Sequence, residues 1–139
     1  MDFIIVTEDQ FEELRALQIA YKRSIGEDAP GPEELDRLAA ALREGSIRFY
    51  ACREGGRLVG CCSVSTVFST FDYRLSGVFE DFYILPEHRH RGIAKQLVRF
   101  AYEHSGVGSM TVGCADCDVE MYKALGFTVP LGNMLSFEG

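Results

Sequence analysis

The sequence has no apolar run long enough to span a bilayer, which takes about 20 consecutive residues. Its opening residues, Met1-Asp2-Phe3-Ile4-Ile5-Val6, lack the basic region and cleavage pattern of a secretory signal and read as a first strand. Positive charge is scarce: 14 Lys and Arg stand against 21 Asp and Glu, a formal net charge of −7. That deficit argues against nucleic acid or a membrane as the main partner, because both reward a basic surface. It suits a cationic ligand such as a polyamine or a lysine side chain, although solubility alone would also explain it. The five cysteines are an odd number and build no disulfide framework. Reduced thiols fit the cytoplasm, which is the expected compartment. Also missing are the Walker pattern G-x-x-x-x-G-K-[ST] and the dinucleotide pattern G-x-G-x-x-G, so an ordinary nucleotide site has no support.

Cys114-Ala115-Asp116-Cys117 has the spacing of half a zinc site. No second pair of ligands follows it, although His88, His90 and His104 occur elsewhere, so buried thiols at a strand end are the preferred reading and no metal is expected. Adjacent Cys61 and Cys62 must point to opposite faces of any strand.

The 139 residues, 47% apolar and 25% charged, fit one domain over 1–139 with a real core. Thr7-Glu8-Asp9-Gln10 matches a capping box, and Phe11, Leu14, Leu17 and Ala20 follow at helical spacing to about Ile25-Gly26. Gly31-Pro32 opens a second helix that Gly45 closes. From Ile47 the period changes to two. Ile47 to Arg53 and Arg57 to Phe68 form a hairpin about Glu54-Gly55-Gly56, and Val78 to Leu85 is a third, central strand. A helix over 92–104, a strand over 110–114, a short helix over 119–125 and a final strand complete the chain. The fold class is α/β, a mixed and largely antiparallel sheet flanked by helices.

One stretch carries the chemistry. The buried strand Glu80-Asp81-Phe82-Tyr83-Ile84 runs through Leu85-Pro86-Glu87-His88 into the basic turn Arg89-His90-Arg91, and Gly92 opens a helix. A helix start presents unpaired N–H groups and the positive end of the macrodipole. With the arginines beside it and Gly92 allowing close backbone approach, it is a candidate phosphate cradle; taken alone, a solvated loop is the preferred reading.

Arg89-His90-Arg91-Gly92-Ile93-Ala94 resembles the Q/R-x-x-G-x-G/A signature of the GNAT superfamily of N-acetyltransferases, with Ala94 in place of the commoner glycine. Met121-Tyr122-Lys123-Ala124-Leu125-Gly126-Phe127 is similar to the family's l-Y-x-x-x-G-F segment. The resemblance covers nearly the whole chain. It implies acetyl-CoA as co-substrate, its pyrophosphate held at 89–94, and a splay between the strands at 78–85 and 110–114. Pantetheine would lie in that opening and pair with backbone near Phe82, Tyr83 and Ile84, a form of strand addition. Ala115-Asp116 stands where the family often has an asparagine, a departure that affects local cofactor contacts.

Acetyl transfer to an amine needs a base. Strand alternation puts Glu80 with Phe82 and Ile84 on one apolar face and Asp81 on the other, so Glu80 is the expected base and Asp81 the reserve. Glu80 also matches the proposed base of the diamine acetyltransferase branch, which the local sequence resembles. A strand carboxylate paired with an arginine is the competing reading. The resemblance makes Tyr122 the acid that protonates the departing thiolate; a core tyrosine is the plain alternative. The acceptor would be a small-molecule amine or a peptide amine; Tyr21 to Pro30 and Thr70 to Leu75 are candidate selecting loops, and their acids fit plain loop solvation equally well. Direct attack needs no covalent nucleophile. A homodimer stays open, as does a catalytically inactive acyl-CoA-binding regulatory module, which would need neither Glu80 nor Tyr122.

Overall fold

A computed structural model describes residues 1–139. Strand β1 (Asp2–Ile5) leads through a 3-10 turn to helix α1 (Phe11–Ser24), then α2 (Pro32–Glu44), β2 (Ile47–Glu54), β3 (Arg57–Ser69) and β4 (Arg74–Ile84). Helix α3 (Ile93–Ser105), strand β5 (Ser109–Val112) and helix α4 (Val119–Ala124) follow. The five strands form one sheet in chain order, antiparallel except for the parallel pair β4–β5. No helix is long and apolar enough to cross a membrane.

Local chemistry sets the boundaries. The Gln10 side-chain oxygen accepts hydrogen bonds from the Thr7 backbone N–H at 2.8 Å and the Thr7 hydroxyl at 2.9 Å, pinning the entry to α1. Pro32 occupies the first turn of α2, and Gly45 closes that helix at φ +77°.

The sheet separates two apolar layers. Leu14 and Leu17 of α1 pack on Phe49, Ala51, Cys61 and Tyr83, with Leu38 and Leu42 of α2 beside them. On the opposite face Leu97, Val98 and Ala101 of α3 pack on Tyr50, Cys62, Val64 and Phe79, and Tyr122 of α4 and Leu125 just after it join them. Cys61 and Cys62 thus face opposite layers, as alternation requires. Tyr50, Phe79 and Leu97 are fully buried, and a side chain such as Phe79 or Leu97 contributes roughly 1.5–3 kcal/mol of transfer free energy.

Three expectations change. Strand β4 begins at Arg74, four residues before the expected Val78, because its hairpin with β3 stays paired out to Ser69 and Arg74. Cys114 and Cys117 are exposed rather than buried, since β5 ends at Val112 and both lie beyond it. No final strand forms: residues 127–139 lie outside every regular element. Pro130, Gly132 and Asn133 punctuate that segment, and it has no neighbouring strand to pair with.

Candidate active site

The registers of β4 define the site. β5 pairs with β4 only from Ser76↔Ser109 to Phe79↔Val112. β5 ends at Val112, so beyond Phe79 the 80–84 stretch of β4 keeps β3 on one side and has no strand on the other. Where the resemblance expects a splay, β5 itself ends at Val112 and leaves that edge of β4 open. A backbone edge that is free beside a core strand can take up an extended ligand.

A bulge sits just past the end of that pairing. Cys61 pairs with Tyr83, yet Ser63 pairs with Glu80, so two steps along β3 match three along β4. The extra residue is taken up at Asp81, whose φ is +56°, a left-handed conformation uncommon outside glycine. The Ser63 hydroxyl donates to the Asp81 carboxylate at 2.6 Å.

The bulge overturns the expected division of the carboxylates. Phe79 and Phe82 lie on the α3 face with ring centroids 5.9 Å apart, three residues apart in sequence, and Ile84 packs there beside Ile93. Glu80 pairs with Ser63, and Asp81 is bonded to it, so both acids share the α1 face. Glu80 is exposed and Asp81 half-buried. The apolar surroundings expected for Glu80 are absent, because regular alternation fails at the bulge.

Tyr21, in the last turn of α1, joins the acids. Its ring lies 6.0 Å from that of Tyr83. Burial raises its phenol pKa, and Asp81 and, more weakly, Glu80 raise it further. Tyr122 approaches from α4, its ring 6.3 Å from Phe82 and edge-on to Phe127 at 5.9 Å. Burial pushes the Tyr122 phenol up to about 12, with smaller contributions from Tyr21, Asp118 and Cys114. A phenol so placed stays protonated throughout the physiological range.

The turn into α3 is shaped by its own backbone. His90 and Gly92 adopt φ +62° and +74°, and Gly92 is the N-cap of α3. The first turn of that helix contains no acidic residue to offset its positive end. Open space surrounds the position a Gly92 Cβ would take. Ile93 is buried and Ala94 half-buried against the core, which anchors the helix start.

The two arginines have different surroundings. Arg89 Nε donates to the Ile84 carbonyl at 2.8 Å and its guanidinium lies 5.5 Å over the Tyr83 ring, so it braces the end of β4. Tyr83 is buried beneath it, leaving only backbone for a ligand. Arg91 is exposed and forms a two-point ion pair with Glu54, Nη2–Oε1 2.9 Å and Nη1–Oε2 3.0 Å. His88 Nδ1 also meets Glu54 Oε2 at 2.9 Å. The Arg91 hydrogen bond holds the Glu54 carboxyl down at about 2. Sequence reasoning missed Glu54, since nothing local marks an acid 37 positions from its partner. It missed Ser63 for the same reason. A hollow between Phe11 of α1 and Leu42 of α2 contains none of the catalytic or cofactor-binding residues expected from the sequence.

Residues 45–129 match the family model described as acetyltransferase (GNAT) domain, and the chain belongs to that family. It is an acyltransferase. The whole fold superposes on a probable acetyltransferase with a TM-score of 0.86 at 19% identity, covering 100% of this chain and 99% of that one. It also matches glucosamine-6-phosphate N-acetyltransferase from Arabidopsis thaliana, with a TM-score of 0.74, 18% identity and 100% of both chains covered. A predicted acetyltransferase with acetyl-CoA from Clostridium acetobutylicum gives 0.76 at 15% identity, over 99% of this chain and 95% of that one. At such identities these likenesses speak to the fold alone. Among curated proteins none matches this chain.

Proposed function

We propose that this enzyme transfers an acetyl group from acetyl-CoA to a primary amine by direct attack, with Glu80 as base and Tyr122 as acid. The observation that carries the reading is the end of β4–β5 pairing at Phe79↔Val112. It leaves the outer edge of β4 without a strand partner from Glu80 to Ile84, ahead of the turn that opens α3 at Gly92.

The residues fit acetyl-CoA. The free edge at Phe82 to Ile84 suits an extended chain with amides, and the acid-free first turn of α3 suits a pyrophosphate. Bound there, acetyl-CoA would supply an activated acetyl thioester. Gly92 and the N–H groups of the first α3 turn would hold phosphate, aided by Arg91 and His90, while Arg89 braces the turn from behind. Glu80, exposed at the mouth of the opening, would accept the amine proton directly or through one water. Tyr122, un-ionised, would give its proton to the leaving sulfur.

The acceptor class this reading favours is a small diamine or polyamine. Glu80 and Asp81 on one face offer two acids to a cation with more than one nitrogen, in keeping with the local likeness to the diamine branch. The reaction is proposed to run in the cytoplasm, where the five free thiols stay reduced. The test is a panel of mono-, di- and polyamines and a lysine peptide with acetyl-CoA, following free thiol. The expected result is release stimulated by di- and polyamines; no amine-stimulated release from any member would overturn the reading.

A further inference from the structure

Phe82 and Tyr83 are neighbours on the stretch of β4 that has no strand on its outer side, and each packs against one tyrosine. Tyr122 meets Phe82 on the α3 face, with ring centroids 6.3 Å apart, and Tyr21 meets Tyr83 on the α1 face at 6.0 Å. The two phenols belong to opposite layers of the molecule, yet they lie close: burial, and next Tyr21, raises the Tyr122 phenol. Tyr122 has a part in the transfer proposed for this site. Tyr21 so far has none.

The hydroxyl of Tyr21 has no partner. The Ser24 hydroxyl and the Ile25 N–H bond to the Tyr21 backbone carbonyl, at 2.6 and 3.3 Å, but the phenol oxygen takes part in no hydrogen bond. A phenol removed from water ordinarily has one, and Tyr21 is half-buried. Its ring packs on Tyr83 and lies under Lys22, whose Nζ is 5.6 Å from the ring centroid and is itself tied to Glu27 at 3.2 Å. These contacts restrain the ring, so its hydroxyl is placed before a ligand arrives. Burial, then Asp81, raises the Tyr21 phenol, with Glu80 a weaker contribution. It stays a neutral hydroxyl beside both acids, able to accept a hydrogen bond as well as to donate one.

A neutral primary amine has two N–H groups and one lone pair. Attack on a thioester uses the lone pair, and the base takes one proton. A nitrogen held only by the base is free to turn its lone pair away from the carbonyl. A second acceptor on the same side stops that rotation.

We propose that Tyr21 binds the acceptor: its phenol oxygen accepts the second N–H of a primary amine while Glu80 takes the first, which turns the lone pair toward the acetyl carbonyl. The assignment rests on the acetyl transfer proposed for this site. The carbon–nitrogen bond forms as the carbon–sulfur bond breaks, one amine proton passes to Glu80, and Tyr122 gives one to the sulfur. Tyr21 neither gains nor loses a proton, and the N–H it holds is the one that stays on the product amide. The site is therefore selective for primary over secondary amines, because an N-methyl group leaves Tyr21 unpaired and sets a methyl against its hydroxyl.

The test pairs an amine that the wild type acetylates with its N-methyl analogue and follows free thiol in wild type and Tyr21→Phe. The wild type should prefer the primary amine. Tyr21→Phe keeps the ring contact with Tyr83, so melting temperature and acetyl-CoA affinity should hold. Its kcat/KM for the primary amine should fall about fivefold to tenfold, the worth of one hydrogen bond, while that for the N-methyl amine stays level or rises. The preference then shrinks by at least that factor. As a ratio within one preparation, it is unaffected by any loss of folded protein. A wild type without the preference, or a variant that loses equally on both amines or on neither, would overturn the assignment and leave the acetyl transfer standing. A wild type that acetylates no amine would overturn both.

Discussion

Ser63 and Asp81 are joined by a 2.6 Å hydrogen bond across the bulge that turns both β4 carboxylates to one face. The bond fixes Asp81 in a left-handed backbone at φ +56°. It also leaves Glu80, its neighbour, exposed and without a side-chain partner among the hydrogen bonds and ion pairs of the molecule. Asp81 is therefore held in place by Ser63 through one carboxylate oxygen, while Glu80 has no side-chain partner.

Glu80→Gln should lower kcat/KM most near neutral pH, with partial recovery as rising pH supplies neutral amine. Asp81→Asn keeps a residue type that tolerates the left-handed region and keeps an acceptor for Ser63. It should cost about 1 kcal/mol of stability from the weakened hydrogen bond and spare the shape of the pH–rate profile. Steady-state rates from pH 6 to 9, with thermal melts of both variants, make the comparison. A profile flattened by Asp81→Asn and unchanged by Glu80→Gln would reverse the two roles.

Tyr122→Phe removes one hydroxyl and little volume. The rings of Phe82 and Phe127 stay in contact with the remaining phenyl, so melting temperature and acetyl-CoA affinity should hold. Turnover should fall on the order of tenfold to a thousandfold, the range for a single general acid. The phenol is raised from 10.0 to about 12. As an acid it works while protonated, so its alkaline limb should appear toward pH 12 and be absent near pH 10. Unchanged turnover, with chemistry shown to be rate-limiting by single-turnover kinetics, would reduce Tyr122 to packing.

Most of the architecture was legible because it rests on short-range rules. The Thr7–Gln10 box, Pro32 and Gly45 mark their helix ends by local chemistry, and the hairpin about Gly55-Gly56 follows from turn residues between two alternating runs. What stayed hidden depends on partners far apart in the chain. The bulge at Asp81 arises from the match between β3 and β4 and from Ser63, 18 positions away, so plain alternation put Glu80 on the wrong face. Glu54 could not be linked to Arg91 from spacing. The final strand expected at the end of the chain does not form, because a strand needs an edge to pair with and residues 128–139 pair with none.

Gly92→Val tests the phosphate cradle. A β-branched residue at φ +74° is strained and should cost about 1–2 kcal/mol in the unliganded enzyme. Acetyl-CoA binding should weaken as well, because relief of the strain moves the N–H groups of the first α3 turn. Calorimetry read beside the melting temperature separates the two effects. A destabilised variant that binds acetyl-CoA as tightly as the wild type would remove Gly92 from the site.

Glu54 restrains Arg91, an exposed arginine of the turn. Its two-point pair neutralises Arg91, whose charge would otherwise attract phosphate. Glu54→Gln should therefore strengthen acetyl-CoA binding several-fold at low ionic strength, with the gain fading as salt screens the freed guanidinium. Arg91→Gln in the same background should abolish the gain. The pH dependence has a definite sign. The Glu54 carboxyl falls from 4.5 to about 2 in the folded chain, so the pair's contribution is complete above 4.5 and lost as pH falls through 2. Across neutral pH it is constant, and acetyl-CoA affinity should show no titration from Glu54. Calorimetric titration at two salt concentrations measures the effect. Weaker binding in Glu54→Gln would mean that the pair instead holds Arg91 in its binding position, and that Glu54 serves the cofactor rather than competing with it.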